Sequence, residues 1–589
     1  MNKLILNPKK LNFKSREKKF FLGKWFLYFL GKNKLKKIKY FFVNSSYTNT
    51  KKQIKQIFYA KKIYKDILEE IYPKLNKIHS IEWRMETWNF FLGHWLHAYI
   101  IIILDRLELI KPIIKNKKNF DLKEIIKFGK NTNLVNNDLK KFTENAGRIE
   151  WNEKLISRII YLKIIKKFNN SQNFKKKNYL SKSFDIQSII FILKVKVLKF
   201  FSSLISKKSD IIFYNTGIKD KFILLKLFLK NNTIPFQYSF PFFNQKIINE
   251  NLNSDLRKKI MLNYEKEKNI DNKIIKFLFA ENFPIIYLEG FSLQNKISKS
   301  SHLPNNIRAI FTSSAYTDNS FKFWLADKIN NKISIFYGQH GVNYNIRKNY
   351  YHQDYELSFS KKYFIWGAKK NNPKMVSVGN FQISQNAKKI SCNFFNALVL
   401  IPLFDIFKRF MILTDMNQFE NDLKQINIFF KNIKSFDKNI IQIKPHPQNN
   451  RRTFNYEDFL NFDRNKIKVL NPRENFQKLA DNFAVLVFTS LSTEFLKQLA
   501  LNKPCLIFLN TKEINEYYID SAKKDFLELK KIGILHVNGL SLSNKLNEIS
   551  NNVNKWWFAK KTQMIVKKFC KKYSSPKFDF NLFLKTIKN

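Results

Sequence analysis

Cysteine is nearly absent from this chain: Cys392, Cys505 and Cys570 are the only three among 589 residues. Three scattered thiols build neither a disulfide framework nor a zinc cluster, and they fit a reducing compartment. Glycine and proline are scarce too, at 13 and 14. The glycine-rich phosphate loops are missing with them: there is no G-x-G-x-x-G and no P-loop. A G-x-S-x-G elbow and an H-E-x-x-H zinc motif are also absent.

Acidic residues are the next shortage. Asp+Glu total 46 against Lys+Arg 106, a formal net charge of +60. Such a surplus raises nucleic acid or an anionic membrane as partners. Arginine speaks against nucleic acid. Only 13 of the basic residues are Arg and 93 are Lys, whereas bidentate recognition of phosphates and bases favours Arg. Lys, Asn, Ile and Phe, all with A/T-rich codons, are abundant together. Codon bias with a solvated surface is the first reading of the charge, and attraction to an anionic membrane or substrate is the second. Hydrophobic residues still make up 44% and aromatics 16%. That suffices for buried cores, and the length suggests two large domains or about three.

Uninterrupted apolar runs of membrane-spanning length are missing. The basic segment 1–19 lacks a secretory signal's apolar core and cleavage site. The run 20–30 is short and holds Lys24, and 88–104 encloses Gly93, His94 and His97. The run 186–205 is broken by Lys194, Lys196 and Lys199, an interfacial pattern at most. The expectation is a cytoplasmic protein, at most peripheral on the inner membrane.

What is present has a clear order, without internal repeats. Residues 1–208 read as mainly helical, with helices at 51–75, 81–110, 121–128 and 152–168. From 209, strands are expected at 210–215, 234–239, 285–288, 307–312, 333–337 and 363–366, with helices at 221–229 and 319–329. A second series has strands at 397–402, 440–444, 466–470, 484–488 and 505–509. Helices at 417–431, 474–481 and 493–501 lie between them, and helices follow to the end. Such alternation predicts α/β architecture with parallel sheets. Residues 1–370 are expected as a first domain (helical 1–208, βα 209–370), 371–390 as a hinge and 391–589 as a second domain. Two doubly wound Rossmann-like domains would face a cleft, with the ligand beyond the carboxyl ends of the strands.

Three motifs fall at expected strand ends. Lys444-Pro445-His446-Pro447 follows strand 440–444; its prolines stiffen the turn, and His446 and Lys444 can both donate to a phosphate. Thr489-Ser490-Leu491-Ser492-Thr493-Glu494 opens a helix. Ser490, Ser492 and Thr493 beside free backbone N–H groups suit an anion, although a plain helix cap explains the same residues. Gly338-Gln339-His340-Gly341 follows strand 333–337. The glycines permit close approach, and His340 suits a general base, the alternative being a satisfied turn histidine. Tyr344, Arg347 and Lys348 downstream add donors and charge.

A fourth block, 82–106, is a helix with Trp88 and Trp95 seven apart and His94 and His97 three apart. A metal held by His94, His97 and Glu86 lacks a site signature. A buried, hydrogen-bonded polar network lining the cleft is preferred.

The chain resembles a known family here. "SIEWRMETWNFFLGHWLHAYIIIILDR" at 80–106, preceded by His79, is similar to the His-Ser, Trp-Arg, Gly-x-Trp-Leu, Asp-Arg block of a surface-carbohydrate transferase family first defined in leptospires. "FYGQHGVNYN" at 336–345, "YFIWG" at 363–367 and "FTSLSTEFLKQLALNKPCLIF" at 488–508 follow in the family's order, and "FFLGKW" at 20–25 resembles its N-terminal motif. Two departures stand out. The glycine-rich tract after the histidine reads Gly341-Val342-Asn343, and 1–19 lacks the Thr-rich turn after an early strand.

The resemblance implies a GT-B-like transferase of lipopolysaccharide or capsule-type assembly. The histidine-proline and Ser/Thr motifs are similar to those of bacterial sialyl- and Kdo-transferases, which use CMP-activated donors, and of CDP-glycerol glycerophosphotransferases. A CMP- or CDP-type sugar donor is therefore favoured, with a glycan or lipid-linked acceptor. With no Asp-x-Asp pair, neither cofactor nor metal is expected. His340 would be the base. Lys444, His446, Ser490, Ser492 and Thr493 would hold the donor phosphate. Glu82, Arg84, His97 and Arg347 would line the acceptor side. The alternatives are an inactive glycan-assembly scaffold with the same fold and, against the arginine shortage, a nucleic-acid binder.

Overall fold

The computed structural model describes the chain outside residues 1, 13–16, 24–38, 44–49, 169–210, 232–251, 300–306, 315–318, 369–370, 384–394, 403–415, 435–439 and 448–458. Among the described residues the strands form three all-parallel sheets. The strand expected at 234–239 and the interfacial run 186–205 lie outside them.

The first sheet corrects the expectation of a helical 1–208. Strands β1 (Asn2–Ile5), β2 (Lys19–Phe21), β3 (Tyr40–Phe42) and β4 (Phe120–Asp121) pair in the order β3-β2-β1-β4. Each has two to four residues, and lysines interrupt them, so no period-2 signal rises above the basic background. Helices Thr50–His79 and Met85–Lys115 pack together beside this sheet. The second is apolar on nearly every face, as a core helix should be. It is long and apolar enough to cross a membrane, yet its most apolar window is 100% buried in the fold. Gly93 permits its close approach: a Cβ there would stand 2.7 Å from the Tyr355 ring and 2.8 Å from the Tyr64 hydroxyl.

The middle sheet runs β5 (Ile211–Phe213), β6 (Ala309–Thr312), β7 (Ser334–Gly338), β8 (Lys362–Ile365) and β9 (Met375–Ser377), in that spatial order. Strands β5 to β8 stand where the alternation predicts them. The stretch 285–288 does not: Ile285–Tyr287 is a 3-10 turn after Pro284. Its N–H groups bond Asn136 and Asn137 carbonyls inside the helical body instead of a sheet ladder. Strand β9 lies within the expected hinge, because a short Met-Val-Ser run among polar residues reads as linker. Side chains alternate between two cores. Ile212, Ile310 and Tyr337 face the helical body, while Phe213, Phe311 and Phe364 face the opposite layer.

The third sheet comprises β10 (Ala397–Ile401), β11 (Ile441–Pro445), β12 (Lys468–Val469), β13 (Val485–Phe488), β14 (Cys505–Phe508) and β15 (Leu535–His536). Its order, β12-β11-β10-β13-β14-β15, is that of a doubly wound nucleotide-binding sheet, with the switch between β10 and β13. Strand β15 was hidden by its length of two residues.

The end of the chain leaves this third unit and corrects the expected boundary at 589. The Ser575 N–H donates to the Trp366 carbonyl (2.8 Å), and the Asp579 N–H donates to the Val378 carbonyl (2.7 Å). Helix Phe580–Lys588 then covers the outer face of the middle sheet, with Phe583 edge-on to Phe311 at 4.8 Å. Two facing α/β units tied by a C-terminal crossing give a GT-B-like fold.

This crossing predicts a pair of outcomes. Phe583→Ala empties a fully buried site and should cost about 3–5 kcal/mol in denaturant unfolding. Leu582→Ala, on the same helix but exposed, should stay within about 0.5 kcal/mol.

Candidate functional site

Strand β7 delivers the histidine turn into the cleft. Gly338 is its last residue, and a Cβ there would meet Phe381, Phe311 and the Ser313 hydroxyl at 2.8–3.0 Å. Past the turn the chain enters the other unit. Val342 and Ile346 are buried in the core of the third-sheet domain. The Ile519 N–H donates to the Ile346 carbonyl (2.9 Å), and the Lys348 N–H donates to the Tyr517 carbonyl (2.8 Å). A Cβ on Gly341 would lie 3.8 Å from the Thr493 hydroxyl. The carboxyl edge of β7 therefore faces the helix that follows β13, and the two motif groups found in sequence share one cleft.

His340 is held from behind. The Tyr344 hydroxyl lies 2.9 Å from its Nδ1 and 3.2 Å from its Nε2. The same hydroxyl lies 3.0 and 2.9 Å from the Glu356 carboxyl oxygens, and Tyr363 donates to Oε2 at 2.9 Å. That one hydroxyl, within reach of both ring nitrogens and both carboxyl oxygens, couples the imidazole to the buried carboxyl. Glu356 is fully buried, with Oε1 3.5 Å from His340 Nδ1. Burial pushes the carboxyl well up and the imidazole down to about 4, the latter opposed by a hydrogen bond with the Ser313 backbone. Both groups thus favour their uncharged forms.

Behind His340 stands a layer of rings. His352 lies 6.5 Å away centroid to centroid, and its Nδ1 is 3.1 Å from His94 Nε2. His97 stacks on Tyr351 at 3.8 Å. Burial lowers His352 and His97 to about 3 and His94 well below its usual range. The buried network expected from the 82–106 block is here, formed with helix Tyr351–Phe359, but it stands behind His340 instead of lining the cleft. Among the described residues no cluster of three or more His, Cys, Asp or Glu side chains could hold a metal.

Across the cleft, the register gives the second half of the site. Ile401 pairs with Pro445, and Leu400 with both Lys444 and Phe488. His446 and Thr489 thus leave the sheet on either side of β10, two strand spacings or roughly 10 Å apart. The Thr489 hydroxyl is spent on the Leu400 carbonyl (2.7 Å). Ser492 caps helix Thr493–Ala500 by accepting from the Phe495 N–H (3.3 Å). Half-buried Ser490 and Thr493, with the N–H groups of the first helical turn, face the switch point. The Glu494 carboxylate there is tied to Lys497 at 2.9 Å.

Five expected site residues serve elsewhere. Lys444 is buried, and its ammonium donates to the Pro472 (2.7 Å) and Pro445 (3.4 Å) carbonyls. It anchors the loop after β12 instead of gripping a ligand. Glu82 and Arg84 meet the end of helix Asn319–Asn330: the Asn330 amide donates to the Glu82 carbonyl, and Arg84 donates to the Ile329 carbonyl at 3.0 Å. That helix runs into the start of β7, so both residues sit at the opposite edge of the sheet from His340. His97 is sealed behind Tyr351. Arg347 pairs with Glu513 and donates to Asn343 at 3.0 Å, clamping the two units together. Glu356, His352 and Tyr363 escaped the sequence reading. The available signal was two polar residues four apart, His352 and Glu356, on one face of a short helix.

The profile of the LIC12162 family transferases matches residues 2–583. The chain belongs to that family. It is a transferase, with the fold described above. No curated protein matches the chain. Among solved structures, MurG of Acinetobacter baumannii shares 11% identity over 51% of this chain and 77% of that one, at a TM-score of 0.29. UDP-GlcNAc 2-epimerase of Neisseria meningitidis, bound to UDP-GlcNAc, shares 14% over 64% and 99%, at 0.34. TarM shares 13% over 48% and 54%, at 0.30.

The buried rings predict acid sensitivity for this family member. His79, His94, His97, His340, His352 and His536 all have lowered pKa values, so the unfolded chain binds more protons as pH falls below about 6.5. Raised Glu356 and Asp422 act in the opposite sense above about 4.5 but are outnumbered. Stability should therefore drop between pH 6.5 and 4.5, by on the order of 5 kcal/mol per unit where steepest. Thermal unfolding across that range checks this; a flat profile contradicts it.

Proposed function

We propose that this transferase moves a sugar, or a related group, from a nucleotide-activated donor to a glycan or lipid-linked acceptor of lipopolysaccharide or capsule-type assembly. The observation that carries the reading is the placement of the His340-Gly341 turn opposite Thr493, whose hydroxyl a Cβ on Gly341 would meet at 3.8 Å. It sets a candidate base against a candidate anion site at a sheet switch point. The donor's nucleotide would lie over β10 and β13. His446, Ser490, Thr493 and the first-turn N–H groups would take its phosphates.

In the transfer, an acceptor hydroxyl gives its proton to the His340 imidazole, and its oxygen bonds the donor's reacting carbon. The bond from that carbon to the phosphate oxygen breaks, and the charge left on phosphate is stabilised at the helix N-terminus. An imidazole near 4 is a weak base in the empty cleft. The donor's negative phosphates raise it on binding, and Glu356 ionises more easily beside the imidazolium. The acid limb of kcat should therefore lie at higher pH than 4, and Glu356→Gln should reduce this rise. The motif resemblance favours a CMP- or CDP-type donor.

A thermal-shift panel of CMP, CDP, UDP, GDP and ADP tests the donor site. A ligand at a hundred times its Kd stabilises the fold by about 2.7 kcal/mol. One nucleotide should shift the wild type, with the shift lost in His446→Ala and kept in Lys444→Met. No shift with any nucleotide, or an equal shift in His446→Ala, would contradict the assignment.

A further inference from the structure

Among the described residues, most of the large apolar side chains that reach solvent do so singly. Helix Lys221–Asn231 is different: Phe222 is 66% exposed, Leu225 53% and Leu229 65%. No other element among the described residues exposes more than one. At about 100° per residue these three fall within a sector roughly 60° wide. Exposed Lys226 and Lys230 border the sector on one side, and Lys221 borders it on the other. The helix contains no acidic residue, and Asp220 before it is buried and accepts from the Phe222 N–H at 2.9 Å as a cap. Ile223 and Leu227 on the inward side are buried in the outer core of the middle sheet, so the helix has a fixed attachment.

The neighbouring surface has the same character. Lys230 lies 5.8 Å over the Phe580 ring, which brings helix Phe580–Lys588 alongside. That helix exposes Leu582, Lys585 and Lys588 and also lacks acidic residues. We propose that helix Lys221–Asn231 docks the protein on an anionic lipid bilayer, its Phe-Leu-Leu ridge entering the headgroup boundary and its lysines meeting lipid phosphates. Charge complementarity selects this occupant. A second copy of the chain would bring the same lysines face to face, whereas an anionic surface neutralises them.

The position gives docking a consequence. The loop before the helix leaves the carboxyl edge of β5. Within it, a Cβ on Gly217 would lie 3.4 Å from the Ser313 hydroxyl, and that hydroxyl donates to the Thr216 carbonyl at 2.6 Å. The Ser313 backbone in turn bonds His340. The docking helix therefore starts beside the cleft mouth, and a bilayer bound there lies within reach of it. The inference goes beyond the transfer reading and does not depend on it.

Flotation of the full chain with phosphatidylglycerol-containing vesicles, against phosphatidylcholine alone, tests the proposal. The wild type should float with the anionic vesicles at physiological salt. The triple variant Phe222→Ser, Leu225→Ser, Leu229→Ser should partition at least about tenfold less. Lys226→Gln should partition about fivefold less, as one lysine at an anionic surface is worth about that factor. Leu225→Cys with an environment-sensitive fluorophore should shift to the blue on vesicle addition, read against identically treated wild type. This readout stands even if the triple variant folds poorly. Equal flotation of wild type and triple variant would overturn the proposal, leaving diffuse charge as the cause. So would an unshifted fluorophore, or a wild-type dimer that the triple variant converts to monomer.

Discussion

The stretch from Gly341 to Lys348 is held by two domains at once, and the site depends on it. Its start is fixed by strand β7 of the middle sheet. Val342 and Ile346 are nevertheless buried among third-sheet residues, and Arg347 is clamped by Glu513. Burying two aliphatic side chains of this size is worth several kcal/mol. A desolvated Arg–Glu pair adds registry more than net stability. The result is a fixed separation between the histidine turn and the helix after β13. Loops on two independently placed domains would not hold a base and an anion site at that spacing. The returning helix Phe580–Lys588 secures the same two units from the far side.

Behind that turn the protein buries an unusual amount of titratable material. Histidines, tyrosines and Glu356 fill the space between helices Met85–Lys115 and Tyr351–Phe359. Desolvation drives nearly all of them towards neutral forms, so the cluster is tolerable at neutral pH only because its members hydrogen-bond or stack on one another. His340 is half-buried, at the cleft. The rings behind it fix that imidazole's orientation, which explains why the conspicuous 82–106 block matters without touching the cleft.

Much of this was legible in the sequence where a signal had length. Strands β6, β7, β10, β11, β13 and β14 are buried apolar runs bounded by turn residues, and they fall where alternation puts them. The three strand-end motifs were found because a histidine or hydroxyl after such a run has few structural reasons to be there. Among elements of two or three residues, β5 and β12 are legible because longer apolar runs surround them, whereas β2, β9 and β15 show no strand pattern of their own. The 285–288 run shows the converse failure: an apolar tetrapeptide is buried either way, and only tertiary partners choose between strand and turn. For side chains the pattern is similar. Sequence places His340 and His446 at strand ends. It cannot show that the Lys444 ammonium turns to the Pro472 carbonyl, or that Glu82 and Arg84 fall at the wrong edge of the sheet. Glu356 was missed because its role exists only through contacts with Tyr344 and Tyr363, far from it in motif terms.

The central claim is that the His340 turn and the anion site opposite form one transfer site. The most direct measurement is transfer of a labelled sugar from the nucleotide donor that binds, compared between wild type and His340→Asn. The account predicts a loss of about 10²–10⁴-fold in kcat with nucleotide binding intact, because removing a general base spares the donor subsite. Turnover by His340→Asn at the wild-type rate would contradict it.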